Sequence, residues 1–392
     1  MSPVIRNRSI YHFYGYDPRG ARFYDQLIRT NIKAQSGPAK RYPTPSMRRE
    51  SDQQFTRFHI SNTAEGAPPE TTLAIMRWER FVAETMIRSN ARLVMNGYRL
   101  LLAGAVNEVG VNLLRISWKM VGIMLGLFLI PLGISLILGL GFVLLTADLS
   151  AGVLIGGCLA LLVATHLIYW FILMGLMYPR FFLWGMSFYC SVGGLSRRLD
   201  DELPKFEAIL DRAAASIAEE MQRDPEREFV LVGHSAGAIL AIEVAGRLLE
   251  QHDGALAKRL RLITLGGAWT FLTAHAGKRA DKHREYVAAL IASPRFEWAD
   301  VVAREDVLSV TDTVEKMPLI LRKEPPKMQG FWYLNPHYTK ILSYRYWRRN
   351  ALNFVVMHFQ YLLTPEVSGR YDYLNFIFSP WGESVAQFAQ PE

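Results

Sequence analysis

The stretch Arg227-Glu-Phe-Val-Leu-Val-Gly-His-Ser-Ala-Gly-Ala-Ile-Leu-Ala-Ile-Glu-Val-Ala-Gly246 decides the fold. Phe229 to Val232 is a short apolar run and reads as a buried strand. Gly233-His234-Ser235-Ala236-Gly237 fits Gly-x-Ser-x-Gly. Ala238 to Leu249, rich in Ala, Leu and Ile, reads as a helix. Strand, tight turn and helix are the context that makes this common pentapeptide a nucleophile elbow. Such a turn holds the serine in a strained backbone conformation. Side chains at Gly233 and Gly237 would collide with neighbouring backbone, which is why glycine stands at both. The plainer reading is a glycine-rich structural turn.

Outward from the elbow, strands and helices alternate. Upstream, Asp200-Asp-Glu-Leu-Pro204 opens a helix that runs to about Gln222. Downstream, Arg259 to Leu265 and Phe296 to Val302 read as strands. Asn350 to Leu363 carries a last strand or helix start. Near the N-terminus, Arg8 to Tyr14 is a strand, Gly15 to Gly20 a turn, and Ala21 to Ala34 an amphipathic helix. Ser36 to Ser51 reads as a loop. Gln53 to Asn62 and Thr71 to Trp78 are strand-like runs, and Ala64 to Pro69 suggests a hairpin between them. This order predicts an α/β fold with a mostly parallel sheet flanked by helices.

Met120 to Leu145 and Gly152 to Tyr178 contain no charge. Each exceeds the roughly 20 residues that span a bilayer, and the short break between them makes a transmembrane hairpin. Arg92, Arg99, Arg115 and Lys119 precede the first run; Arg180, Arg197 and Arg198 follow the second. The intervening turn has only Asp148. The positive-inside rule therefore puts both termini and the rest of the chain in the cytoplasm. The competing reading is two buried core helices. The predicted organisation is an N-terminal part at 1–90, the hairpin with its apolar flanks at 91–199, and a C-terminal part with the elbow at 200–392. Phe181 to Leu195, broken by Gly185, Gly193 and Gly194, reads as lying at the bilayer interface or against the soluble domain.

The chain has 392 residues and a net charge of +8. No zinc-finger spacing, recognition helix or RNA-binding motif accompanies that charge, so nucleic acid is not expected as a partner. Residues 1–50 hold ten basic against three acidic side chains and are expected to face anionic lipid headgroups. Two cysteines, Cys158 and Cys190, both in apolar sequence, form no disulfide framework. No metal-site or phosphate-loop motif is present, and neither a metal nor a cofactor is expected. His275 and His283, flanking Lys278, Arg279 and Lys282, read as a solvated basic helix.

On the elbow at Gly233–Gly237 and the order of its elements, the chain resembles the α/β-hydrolase superfamily of lipases and esterases. The resemblance implies an acid after a later strand and a histidine near the end. It selects His358, with His337 as the alternative, and Asp306, with Glu305 and Asp312 as alternatives. It implies an oxyanion hole formed by the N–H of Ala236 and a second donor from the early turn at Gly15 or Tyr16. Asp300, inside its strand, is expected to be structural. The expected activity is hydrolysis of lipid or other acyl esters, thioesters included, through an acyl-serine. The alternative is a non-catalytic membrane protein that uses the fold to bind a partner or a lipid.

Overall fold

The computed structural model describes residues 7–34, 48–61, 70–251, 257–367 and 371–378. Strand β1, Asn7–Phe13, leads through a turn into helix α1, Gly20–Ala34. Strands β2, Arg48–Ser51, β3, Phe55–Ser61, and β4, Glu70–Met76, come next, then α2, Glu79–Thr85. The hairpin turn expected at 64–69 lies outside the described residues. Helices α3, Asn90–Val106, α4, Glu108–Ile116, α5, Trp118–Leu145, α6, Ala151–Gly175, and α7, Met177–Val192, follow in succession. Helix α8, Leu203–Arg223, precedes β5, Glu228–His234, and α9, Gly237–Gln251. Then come β6, Leu260–Leu265, α10, Thr270–Thr273, α11, Lys278–Ala292, β7, Glu297–Val301, and β8, Phe331–Leu334.

The strands form one sheet in the order β2-β3-β4-β1-β5-β6-β7-β8. Its β2–β3 and β3–β4 pairs are antiparallel, and every pair from β4–β1 to β7–β8 is parallel. Strand β5 lies between β1 and β6 and is buried at every position. An apolar run without alternation is what a strand covered on both faces requires. Register carries Phe13 beside Gly233 and His234 beside Leu265. The carboxyl ends of β1, β5 and β6 therefore emerge at one end of the sheet, where open α/β sheets gather their reactive groups.

Helix α9 is buried from Gly237 to Leu248, so its apolar character runs all round. Charged groups close its outer side. Arg247 pairs with Glu207, Asp211 and Glu243, and Arg279 pairs with Glu207 and Glu243. His283 is fully buried against Glu243, and His275 is also buried, its Nδ1 2.9 Å from the Phe271 carbonyl. The two histidines are therefore core residues, which corrects the reading of a solvated helix. Lysines at 278 and 282 had masked an inward face of Ala280, His283, Arg284 and Val287.

Two compact units divide the chain: residues 1–86 with 188–392, and residues 87–187. In the second unit α5 and α6 are 28 and 25 residues long, giving about 42 and 38 Å of helix. Leu136, Leu144 and Phe171 are more than two thirds exposed. These two helices are long and apolar enough to cross a membrane. His166 bonds its own helix, Nδ1 lying 2.8 Å from the Leu162 carbonyl. Trp170 donates to Tyr98 at 3.2 Å and packs on Phe128, which ties α6 to α3 and α5.

Candidate active site

Ser235 sits between β5 and α9 with φ of 56°. That left-handed conformation costs a non-glycine residue roughly 1–2 kcal/mol. It is held by the Ser235 N–H donating to Leu265 at 2.9 Å and by the Ala238 N–H donating to the Ser235 carbonyl at 3.0 Å. The flanking glycines are dictated by space. A Cβ on Gly233 would lie 2.5 Å from the Ala238 Cα, and one on Gly237 would lie 2.0 Å from the Phe13 carbonyl oxygen. Neither neighbour is a flexible side chain, so the turn cannot relax around a methyl group. Gly237→Ala is expected to destabilise the protein by about 3 kcal/mol or prevent folding. Equal Tm for this variant and the wild type would contradict the close approach.

The early turn meets the elbow. A Cβ on Gly15 would lie 3.1 Å from the Ser235 Cβ and 3.4 Å from its Oγ. The turn is stiff: Asp17 donates its N–H to the Gly15 carbonyl at 2.7 Å, and its buried carboxylate receives Arg19 and Tyr24. Tyr16 donates to or accepts from Thr85 at 2.9 Å and stacks on Phe188 at 4.6 Å. Ala236, next to Ser235 in the chain, is buried.

His358 and Asp306 come together across 52 residues of sequence. The His358 Nδ1 lies 2.7 Å from the Asp306 Oδ2. Asp306 is fully buried in the turn after β7. Its Oδ1 receives the Leu308 N–H at 3.0 Å, and its Oδ2 also receives the Ser309 hydroxyl. His358 was expected on a loop; it lies instead in the short helix Phe354–Phe359, capped by Asn353 at 3.1 Å. Its carbonyl is 3.0 Å from the His234 Nε2, and its ring stands 3.0 Å from where a Cβ on Gly266 would be. Burial, followed by the nearby His358 ring, holds the His234 pKa well below the ordinary imidazole range. His234 is therefore a neutral strut beneath His358.

The alternatives are engaged elsewhere. Glu305 accepts from Thr339, Asp312 pairs with Arg304 at 3.6 Å, and His337 begins the helix Tyr338–Ile341. Asp300 is fully buried and receives Thr264 at 2.6 Å, Trp269 at 3.1 Å and Thr313 at 2.8 Å. Burial raises its carboxyl pKa. Among the described residues no cluster of three His, Cys, Asp or Glu side chains is arranged to hold a metal.

Three neighbours were not legible in the sequence. Ser309 braces Asp306, and Asp306-x-x-Ser309 is at most a weak turn signal. Tyr361 accepts the Ala303 N–H at 2.9 Å beneath that turn. Tyr189, in the stretch read as lying at the bilayer interface or against the soluble domain, is buried and packs against Phe271 at 5.5 Å.

The candidate site thus comprises a serine in a strained elbow, a glycine turn against it, and a histidine bonded to a buried carboxylate. Residues 187–311 match the family model of the thioesterase domain, a member of the α/β-hydrolase superfamily. The matched segment includes Ser235 and Asp306 but ends before His358. Comparison with curated proteins and with solved structures finds no match. The family match supports a hydrolase acting on esters.

Proposed function

We propose that this chain is a membrane-anchored serine hydrolase that cleaves acyl esters and thioesters. The observation that carries the reading is the His358–Asp306 hydrogen bond on the same end of the sheet as the strained Ser235. With its Nδ1 committed to Asp306, the His358 ring has Nε2 left as the base. Ser235 Oγ attacks the acyl carbon as its proton passes to Nε2. The carbonyl π pair moves onto oxygen, and that oxyanion is received by the Ala236 N–H and a donor from the Gly15–Tyr16 turn. Collapse expels the thiolate or alkoxide, which takes the proton from His358. Water, deprotonated by the same nitrogen, then attacks the acyl-serine, and collapse of that second intermediate returns the proton from His358 to Ser235 Oγ and releases the acid. All the groups this chemistry requires are side chains and backbone of the chain itself.

The test is reaction with a fluorophosphonate probe, which forms a stable adduct only with an activated serine. The expected adduct lies on the peptide containing Ser235. A folded protein that reacts nowhere would favour the non-catalytic alternative, and an adduct at another serine would overturn the Ser235 assignment.

In this proposal α5 and α6 cross the bilayer, because so large an exposed apolar surface is unfavourable in water. Lipid or other acyl esters are the proposed substrates, with the bilayer as partner. The basic flanks put both termini and the sheet unit in the cytoplasm. Cysteines placed at Ser2 and Ser150 are expected to differ in intact cells: an impermeant thiol reagent labels position 150 and spares position 2. The reverse pattern would overturn the topology.

A further inference from the structure

Resting on the membrane-anchored reading, we propose that residues 344–352 of the sheet-containing unit are a docking surface for an anionic lipid bilayer. The helix Tyr344–Asn350 has no buried residue. Arg345, Arg348 and Arg349 are exposed, and their spacing of i, i+3 and i+4 puts them on one face. Among the described residues, none of the three guanidinium groups has an ion-pair or hydrogen-bond partner. Tyr338 to Pro365 contains no acid, and the next one, Glu366, is engaged by Ser343, which donates its N–H at 2.9 Å and its hydroxyl at 2.6 Å. Apolar groups accompany the charge. Among the described residues of the sheet-containing unit, the exposed large apolar side chains are Val314, Tyr344, Leu352 and Val367. Tyr344 is 75% exposed and Leu352 88%. Val367 belongs to the same place, its N–H donating to the Ile341 carbonyl at 3.0 Å. All of them except Val314 therefore gather around one basic helix.

Like charges one helical turn apart repel, so this face is destabilised in water and relieved by a surface of fixed negative charge. A bilayer of anionic lipids supplies that charge and, just beneath it, an apolar layer. A nucleic-acid backbone supplies the charge and leaves Leu352 in water. Tyr344, Tyr346 and Trp347 are the residue types that settle at headgroup level. Leu352, just past the helix, can enter the boundary between headgroups and acyl chains. Each arginine near an anionic surface strengthens binding about fivefold, so three give on the order of 100-fold. The cytoplasmic leaflet is the anionic one, which agrees with the topology proposed above. The surface also adjoins the catalytic machinery along the chain. Asn353 follows Leu352 and caps the short helix that carries His358. Docking of residues 344–352 therefore holds the segment next to the proposed base against the lipid.

The experiment is amide hydrogen exchange on the full-length protein in lipid nanodiscs of phosphatidylglycerol or of phosphatidylcholine. A short exposed helix opens readily, so its amides report whatever covers it. Exchange across residues 344–352 is expected to be slower in phosphatidylglycerol by about tenfold or more. The difference should vanish at about 1 M salt, where the screening length is about 3 Å. The combined variant Arg345→Gln, Arg348→Gln and Arg349→Gln should exchange alike in both lipids, with Tm unchanged because the three side chains are exposed. Equal exchange of the wild type in the two lipids overturns the proposal, and so does slowing that the variant retains. Slowing by a single-stranded RNA in detergent, with none in phosphatidylglycerol, would assign the surface to nucleic acid and overturn it too. If the variant does not fold, salt decides on the wild type alone: slowing that persists at about 1 M overturns the proposal. Failure of the underlying reading has its own signature. Protein that stays soluble without detergent and outside the discs has no membrane anchor. Protein held in the discs, with residues 344–352 exchanging equally in both lipids, removes this inference alone.

Discussion

Ser235→Ala is expected to lower kcat for acyl-ester and acyl-thioester hydrolysis on the order of a millionfold, to the residual rate that binding and the oxyanion donors alone support. The protein should remain folded. The hydroxyl is small, and its loss leaves the bonds from the Ser235 N–H to Leu265 and from Ala238 to the Ser235 carbonyl in place. Alanine nevertheless inherits the φ of 56° at this position. Ser235→Gly should be equally inactive, yet melt at a higher temperature than Ser235→Ala. Glycine removes a left-handed penalty of roughly 1–2 kcal/mol. It returns about 0.4–1 kcal/mol of that through the greater freedom of its unfolded chain. The pair separates two properties of one residue: the hydroxyl carries the chemistry, and the backbone stores the strain that presents it. Turnover surviving in either variant would remove the nucleophile assignment. A glycine variant no more stable than the alanine variant would remove the strain.

Local pattern decided what the sequence could reveal. The elbow was legible because a strained serine needs glycine on both sides, and Gly233 and Gly237 each face backbone at under 3 Å from a built Cβ. The charge-free runs at α5 and α6 were legible because length and composition suffice to identify them. His358 and Asp306 were selected by chain order, which the superfamily resemblance supplied. Their hydrogen bond depends on two turns converging across the sheet, and no spacing encodes that. Strand β8, Phe331–Leu334, was missed because four aromatic-rich residues become a strand only by pairing with β7. Strand β2, Arg48–Ser51, was read as loop for a similar reason: its strand character comes from β3. Composition left two places open for the aromatic stretch after the membrane run, the interface or the soluble domain; Phe188 to Val192 are buried in the sheet-containing unit. Tertiary contact, not periodicity, made these assignments.

Asp306→Asn tests the least visible part of the proposed machinery. The carboxylate accepts three hydrogen bonds: from the Leu308 N–H on Oδ1, and from the Ser309 hydroxyl and His358 Nδ1 on Oδ2. An asparagine must turn its amino group toward one oxygen position or the other. Toward Leu308 it would oppose a backbone N–H, which can only donate. Toward Ser309 and His358 it meets groups that can both become acceptors, so this orientation is the one expected. His358 then accepts at Nδ1 and carries its proton on Nε2, the nitrogen needed as base. The side chain stays in place, but the imidazole is locked in the wrong tautomer. For an acid that only orients and charges its histidine, such a change lowers kcat by about 10,000-fold. Tm should change little, because size and burial are conserved. Ser309→Ala supplies the contrast. It removes one bond from Oδ2 without reversing the sign of any other, so kcat should fall by no more than about tenfold. Nitrogen-15 spectra of His358 would show the proton moving from Nδ1 to Nε2 in the asparagine variant alone. If Asp306→Asn keeps more than a tenth of wild-type kcat, the orienting acid is another group, and Glu305 and Asp312 are the next variants to make.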